Sequence, residues 1–312
     1  MSVTFSGGGV TISGGGWTLQ APPAGNKAIF GYGDTGSYTA ITNLVSNTGV
    51  VATNTTGVGT ARGYLAAAGY GTDKAIFGYG NTGIAPYNTS ITNLVSNTGV
   101  VANDTAGVGT ARNGITAAGY GTDKAIFGYG YASPSLQSMT NLVSNTGVVA
   151  NDTAGVGTAR ANLAAAGYGT DKAIFGYGTS PLTAITNLVS NTGVVASDTT
   201  GVGTAREALA ATGYSTDKAI FGYGLTNGVP SIQSMTNLVS NTGVVASDTT
   251  GVGTARQGPA AAGYGVGTAI FGYGAGVSIT AITNLVSNTG VVATDTTGVG
   301  TARYTLAAAA YG

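Results

Sequence analysis

Side chains able to do chemistry are few in this 312-residue chain, and they recur periodically. Histidine and cysteine are both absent, which removes the commonest general base, the best thiol nucleophile, and imidazole or thiolate metal sites. The one glutamate is Glu207. Aspartate recurs in two fixed settings. Asp73, Asp123, Asp171 and Asp217 sit in Thr-Asp-Lys turns; Asp104, Asp152, Asp198, Asp248 and Asp295 sit in a later strand-like segment, with Asn54 at the equivalent place in the first copy. Carboxylate catalysis needs two environments that separate the acid and base roles. Near-identical copies supply near-identical environments, so these aspartates read as structural. The expectation is a non-enzymatic protein with no metal and no cofactor.

One arginine per copy, Arg62, Arg112, Arg160, Arg206, Arg256 and Arg303, closes the string GVGTAR. A guanidinium can bind carboxylate or backbone oxygens and so hold neighbouring copies together. The alternative is a ring gripping an anionic sugar or lipopolysaccharide group. The structural ring is preferred, because each copy keeps its arginine whatever its adjacent loop does.

Three strings set the frame that must position these groups. AIFGYG begins at Ala28, Ala75, Ala125, Ala173, Ala219 and Ala269, and TNLVSNTGVVA at Thr42, Thr92, Thr140, Thr186, Thr236 and Thr283. Units start near residues 27, 74, 124, 172, 218 and 268 and run 46 to 50 residues, the length of a four-stranded propeller blade. In the second unit, residues 65–71, 74–80, 90–97 and 100–108 read as strands. Thr72-Asp73 and Thr98-Gly99 supply hairpin turns between them. The first strand is alanine-rich, against ordinary strand preference; a crowded position beside a central axis explains it. Unit one lacks this strand, and residues 306–312 (LAAAAYG) supply it. The expected fold is all-β: a six-bladed β-propeller over residues 27–312, four antiparallel strands per blade, the first blade closed by the C-terminal strand. Such closure hides sheet edges. An open solenoid wants polar caps, and β-helix rungs are shorter than this period.

The order TAR, LAAAGYG, KAIFGYG, loop, TNLVSNTG, VVATDTTGVG resembles the kelch repeat. It departs in having Gly-Tyr-Gly for paired glycines and no outer-strand tryptophan; the only tryptophan is Trp17. The near-identical wording of the units is also similar to repeat proteins of tailed bacteriophages, including those of cyanobacteria. That resemblance implies a tail-fibre or virion protein on the particle surface, acting in host attachment.

Composition excludes several classes. Charged residues are 7% and the net charge is zero, against about a quarter charged in an average domain. Nucleic-acid binding wants clustered lysine and arginine, so no nucleic-acid partner is expected. No run of 18 apolar residues exists, so no membrane insertion is expected. Hydrophobic residues at 43% argue against disorder. Residues 1–26 lie outside the repeats and lack the pattern of a signal peptide. They read as a glycine-rich β arm of three short strands, 3–5, 10–12 and 17–19, followed by the spacer Pro22-Pro23. The expected role of the arm is anchoring to other virion or fibre proteins by edge pairing.

The copies differ in two places. One follows Gly-Tyr-Gly: residues 34–41, 81–91, 131–139, 179–185, 225–235 and 275–282. The other is the pair after each TAR: 63–64, 113–114, 161–162, 207–208, 257–258 and 304–305. In an up-and-down four-stranded blade, the connections after strands two and four emerge at the same end. Both sets should decorate one face, with the constant turns opposite, and function usually sits on loops of a rigid scaffold. Neutral loop drift is the competing explanation. Candidate contacts to a cell-surface receptor or glycan are Tyr38, Tyr64, Tyr87, Asn88, Asn113, Tyr131, Gln137, Asn162, Glu207, Asn227, Gln233, Gln257 and Tyr304. A free glycan-binding lectin and a structural decoration protein are the other expectations.

Overall fold

The computed structural model describes residues 2–6, 9–13, 27–179, 181–229 and 231–312. In the arm, β1 (Ser2–Ser6) pairs antiparallel with β2 (Gly9–Ser13). The expected third arm strand lies outside the described residues.

The repeats begin with β3 (Lys27–Gly31) and β4 (Thr42–Val45), then β5 (Ala66–Tyr70), β6 (Lys74–Gly78) and β7 (Thr92–Val95). The third unit holds β8 (Thr116–Tyr120), β9 (Lys124–Gly128), a short loop hairpin of β10 (Tyr131–Ala132) and β11 (Ser135–Leu136), and β12 (Thr140–Val143). Next come β13 (Ala164–Tyr168), β14 (Lys172–Gly176), β15 (Thr186–Val189), β16 (Ala210–Tyr214), β17 (Lys218–Leu225) and β18 (Ile232–Val239). The last are β19 (Ala260–Tyr264), β20 (Thr268–Gly272), β21 (Thr283–Val286) and β22 (Ala307–Tyr311). The repeats thus form six three-stranded antiparallel sheets, each ordered alanine-rich strand, Ala-Ile-Phe strand, Thr-Asn-Leu-Val strand. As expected from the chain ends, β22 supplies the missing strand of the first sheet, with Ala308 opposite Phe30 and Ala310 opposite Ala28.

The expectation of four regular strands per unit is corrected. Residues 100–108 form no regular strand beside β7: they meet it at two isolated bridges, Val95 with Val101 and Thr92 with Thr105, and through Ala102 N, which donates to Leu94 O at 2.8 Å. The cause is side-chain competition for the backbone. Asn93 Nδ2 donates to the carbonyl of Ala102 at 3.0 Å and to Asp104 Oδ1 at 2.8 Å. The bridge residues flank this clamp, and no regular ladder forms across it.

Five of the six middle strands end where Gly-Tyr-Gly turns the backbone; β17 continues through it to Leu225 across a bulge between Gly222 and Gly224. Tyr79 takes φ 63° and Gly80 φ 111°, left-handed values that break the regular ladder. Gly80 is required here: a Cβ would lie 2.8 Å from the Gly63 carbonyl oxygen. Packing between sheets then uses Phe77, whose ring meets Tyr32 of the preceding unit edge-on at 5.1 Å. Among the described residues the core is accordingly six apolar clusters, each shared by two adjoining sheets. The alanine-rich strands adjoin one another in the order β5, β8, β13, β16, β19, β22 and back to β5.

Candidate ligand-binding site

Each variable pair is stitched to a variable loop by backbone bridges: Gly63 with Asn81, Asn113 with Tyr131, Ala161 with Thr179, Glu207 with Leu225, Gln257 with Ala275, and Tyr304 with Asp34. The two variable sets therefore share one end of the sheets. The constant turns meet at the other end, where Asn97 Nδ2 donates to Asp73 Oδ2 at 3.2 Å, Asn145 to Asp123 at 3.1 Å and Asn191 to Asp171 at 3.0 Å.

At the variable end the second residue of every pair takes a left-handed backbone: Tyr64 (54°), Gly114 (58°), Asn162 (54°), Ala208 (50°), Gly258 (57°) and Thr305 (52°). That turn points each N–H at the preceding carbonyl of its neighbour. Tyr64 N donates to Thr305 O, Gly114 N to Tyr64 O, Asn162 N to Gly114 O, Ala208 N to Asn162 O, Gly258 N to Ala208 O, and Thr305 N to Gly258 O, all at 2.7–3.0 Å. These six bonds run in a closed cycle. Non-glycine residues in this region are uncommon, and here each is repaid by a satisfied backbone donor.

Beneath the cycle lies a cavity of about 400 Å³ lined by all six alanine-rich strands. Tyr64, Asn162, Glu207, Gln257 and Tyr304, five of the expected contact residues, line it. Below them come Leu65, Ile115, Leu163, Leu209, Pro259 and Leu306, then alanines. Asn162 Nδ2 donates to Glu207 Oε2 at 2.9 Å. Burial pushes the Tyr64 hydroxyl pKa up, and Tyr304, Asp34 and Glu207 reinforce it.

The remaining candidates lie farther out. Tyr38 lines a cleft shared with residues 82–86 of the next loop, and burial pushes its pKa up to about 12. Asn227 and Gln233 line a separate cleft with Leu182 and Val229. Tyr87 and Tyr131 are exposed, at 56% and 36%. Asn88 and Asn113 bind each other, Asn113 Nδ2 to Asn88 Oδ1 at 2.6 Å, and Asn88 Nδ2 reaches the Tyr131 carbonyl at 3.1 Å. Gln137 folds back onto Ser135 within its own loop.

The arginines are buried between units, their guanidiniums bound by backbone and asparagine oxygens. Arg112 donates from Nε to Tyr129 O at 2.8 Å, from Nη1 to Thr110 O at 2.9 Å and from Nη2 to Asn141 Oδ1 at 2.5 Å. Its guanidinium also lies 4.7 Å from the Tyr79 ring centroid of the preceding sheet. The recurrent aspartate completes the clamp: Asp152 accepts from Thr110 N at 3.0 Å and Thr110 Oγ1 at 2.7 Å. The Thr-Asp-Lys aspartates instead hold lysines at the constant end, as in Asp73 with Lys74 at 2.9 Å.

Sequence reasoning passed over two features. Asp34, bridged to Tyr304, reaches the mouth electrostatically. The apolar ring starting at Leu65 had a signal, one apolar residue before each alanine run. Among the described residues no group of three acidic side chains is placed to hold a metal ion. No protein-family model matches this chain, and no curated protein matches it.

Proposed function

We propose that the six sheets are the blades of a six-bladed β-propeller, and that its variable end is a non-enzymatic attachment surface for a cell-surface receptor or glycan. The carrying observation is the set of six bridges that joins both variable sets on one end while the constant turns meet at the other. The closed hydrogen-bond cycle and the adjoining alanine-rich strands support the propeller reading. Neighbouring outer clefts differ in lining, apolar Ile84 and Pro86 beside Tyr38 in one, Asn227 and Gln233 in another. That difference favours one composite surface over a lectin with equivalent pockets in every blade. The setting is a virion or fibre surface, with residues 1–26 anchoring the propeller to neighbouring proteins.

Glycan-array binding by the isolated chain tests this reading. Replacing both exposed loop aromatics, Tyr87→Ala with Tyr131→Ala, should weaken binding by tenfold or more, on the order of a contact hot spot. Val148→Thr at the constant end should leave it unchanged. Equal losses from both changes, or none from the loop pair, would refute the assignment.

A further inference from the structure

Among the described residues lining the axial cavity, Glu207 is the one charged side chain, and none is a lysine or arginine. The hydrogen-bond cycle orders the six pairs 63–64, 113–114, 161–162, 207–208, 257–258, 304–305 and back. Tyr64 and Tyr304 therefore occupy adjacent places, while Asn162 and Glu207, also adjacent, stand on the far side, Glu207 three places from Tyr64 and Asn162 three places from Tyr304. Between the two groups, Gly114 and Gly258 carry no side chain, and Gln257, neutral, lines the wall beside Gly258. One Glu207 oxygen is held by Asn162 at 2.9 Å, which fixes the carboxylate at the opening. Burial raises the Tyr64 hydroxyl pKa, and Tyr304, Asp34 and Glu207 add to it, so the phenol stays neutral at the opening.

We infer that the axial cavity takes a cationic group, a primary or quaternary ammonium on a compact apolar or sugar body, with Glu207 as counter-ion and the Tyr64 and Tyr304 rings as π faces. A carboxylate with no cation beside it in a partly enclosed site repels anions and attracts an ammonium, and tyrosine faces attract the same charge. The alanine and leucine wall suits an apolar body, and about 400 Å³ falls within the range of small-ligand pockets. The inference rests on reading this end as the binding end, but it concerns the axis and not the outer loops.

The test is calorimetric titration of the full chain with choline, with its uncharged isostere 3,3-dimethyl-1-butanol, and with acetate. Choline should bind about tenfold or more tighter than the isostere, and acetate should not bind. Glu207→Gln keeps an acceptor oxygen for Asn162, so the fold should persist with an unchanged thermal midpoint. It should lower choline affinity about tenfold and leave the isostere unaffected. Choline no tighter than its isostere, absent choline binding, or choline affinity indifferent to Glu207→Gln would each overturn the inference. The titration involves no glycan or cell. Glycan-array failure of the native chain therefore counts against the attachment surface alone, and loss of the choline preference against the cationic site alone.

Discussion

Arg112→Ala should be among the most damaging single changes available to this protein. Its guanidinium is fully buried and makes three hydrogen bonds at 2.5–2.9 Å to Tyr129 O, Thr110 O and Asn141 Oδ1, while stacking on Tyr79. Truncation leaves those acceptors facing a cavity. Removing one partner from a buried charged network costs about 3–5 kcal/mol. Asp152 Oδ1 is 3.6 Å from Nη1, a longer contact than the bonds to neutral acceptors. The neutral acceptors should therefore carry most of the effect. The molecule contains its own control, because the equivalent junction at Arg303 has Asn54 in place of the aspartate. Arg303 still donates to Tyr32 O at 2.8 Å, Thr301 O at 3.0 Å and Asn43 Oδ1 at 2.7 Å. Arg303→Ala should then cost nearly as much as Arg112→Ala. Thermal melts and urea titrations of both variants measure this, and the expected fall in midpoint is about 10 °C for each. A midpoint unmoved for Arg112→Ala would refute the structural role. A large loss at Arg112 with little at Arg303 would show that the aspartate carries the clamp.

The closing junction offers a gain. Asn54 already accepts from Thr301 N at 3.1 Å and donates to Thr301 Oγ1 at 2.6 Å, where the aspartates of the other junctions accept from the threonine hydroxyl instead. Burial works against ionisation of Asp152, but hydrogen bonds from Thr110 and Asn141, with Arg112 nearby, hold its carboxyl below the usual range. A depressed folded pKa gives stability that is fully present above the unfolded value of about 3.9 and is lost as pH falls through the folded value. Asn54→Asp should therefore stabilise by about 0.5–1 kcal/mol at pH 7, after allowance for solvent screening, with the gain fading below about pH 4. Paired denaturant titrations at the two pH values check it; a gain that persists in acid would contradict the linkage. Gly78→Ala should destabilise by about 1–3 kcal/mol, because its methyl would lie 2.7 Å from Phe127 Cζ of the next sheet. The double variant with Phe127→Leu should recover part of that loss, and a neutral Gly78→Ala would show that the sheets can slide apart.

The repeat frame, the strands of each sheet and the C-terminal completion of the first sheet were legible in the residue order. They depend on local pattern: Ala-Ile-Phe and Thr-Asn-Leu-Val runs bounded by turns, and an orphan LAAAAYG. The common end of the two variable sets followed from strand direction alone. The fourth strand was misread because its Val and Thr content is strand-like, whereas Asn93 is a competitor for the Ala102 carbonyl only once β7 lies beside it. Likewise, Arg112 shows its repetition in sequence but not its burial. Two of its three acceptors lie 17 and 29 residues away, and its stacking partner belongs to the preceding sheet. Which variable residues reach the cavity was decided by the closed cycle of left-handed turns. Each of those bonds joins residues of different units, so the mouth arises only when adjoining sheets bring six distant pairs together. Local strand and turn preference is written in neighbouring residues. A junction or an axis is made of groups from separate copies, and tertiary packing alone sets their distances.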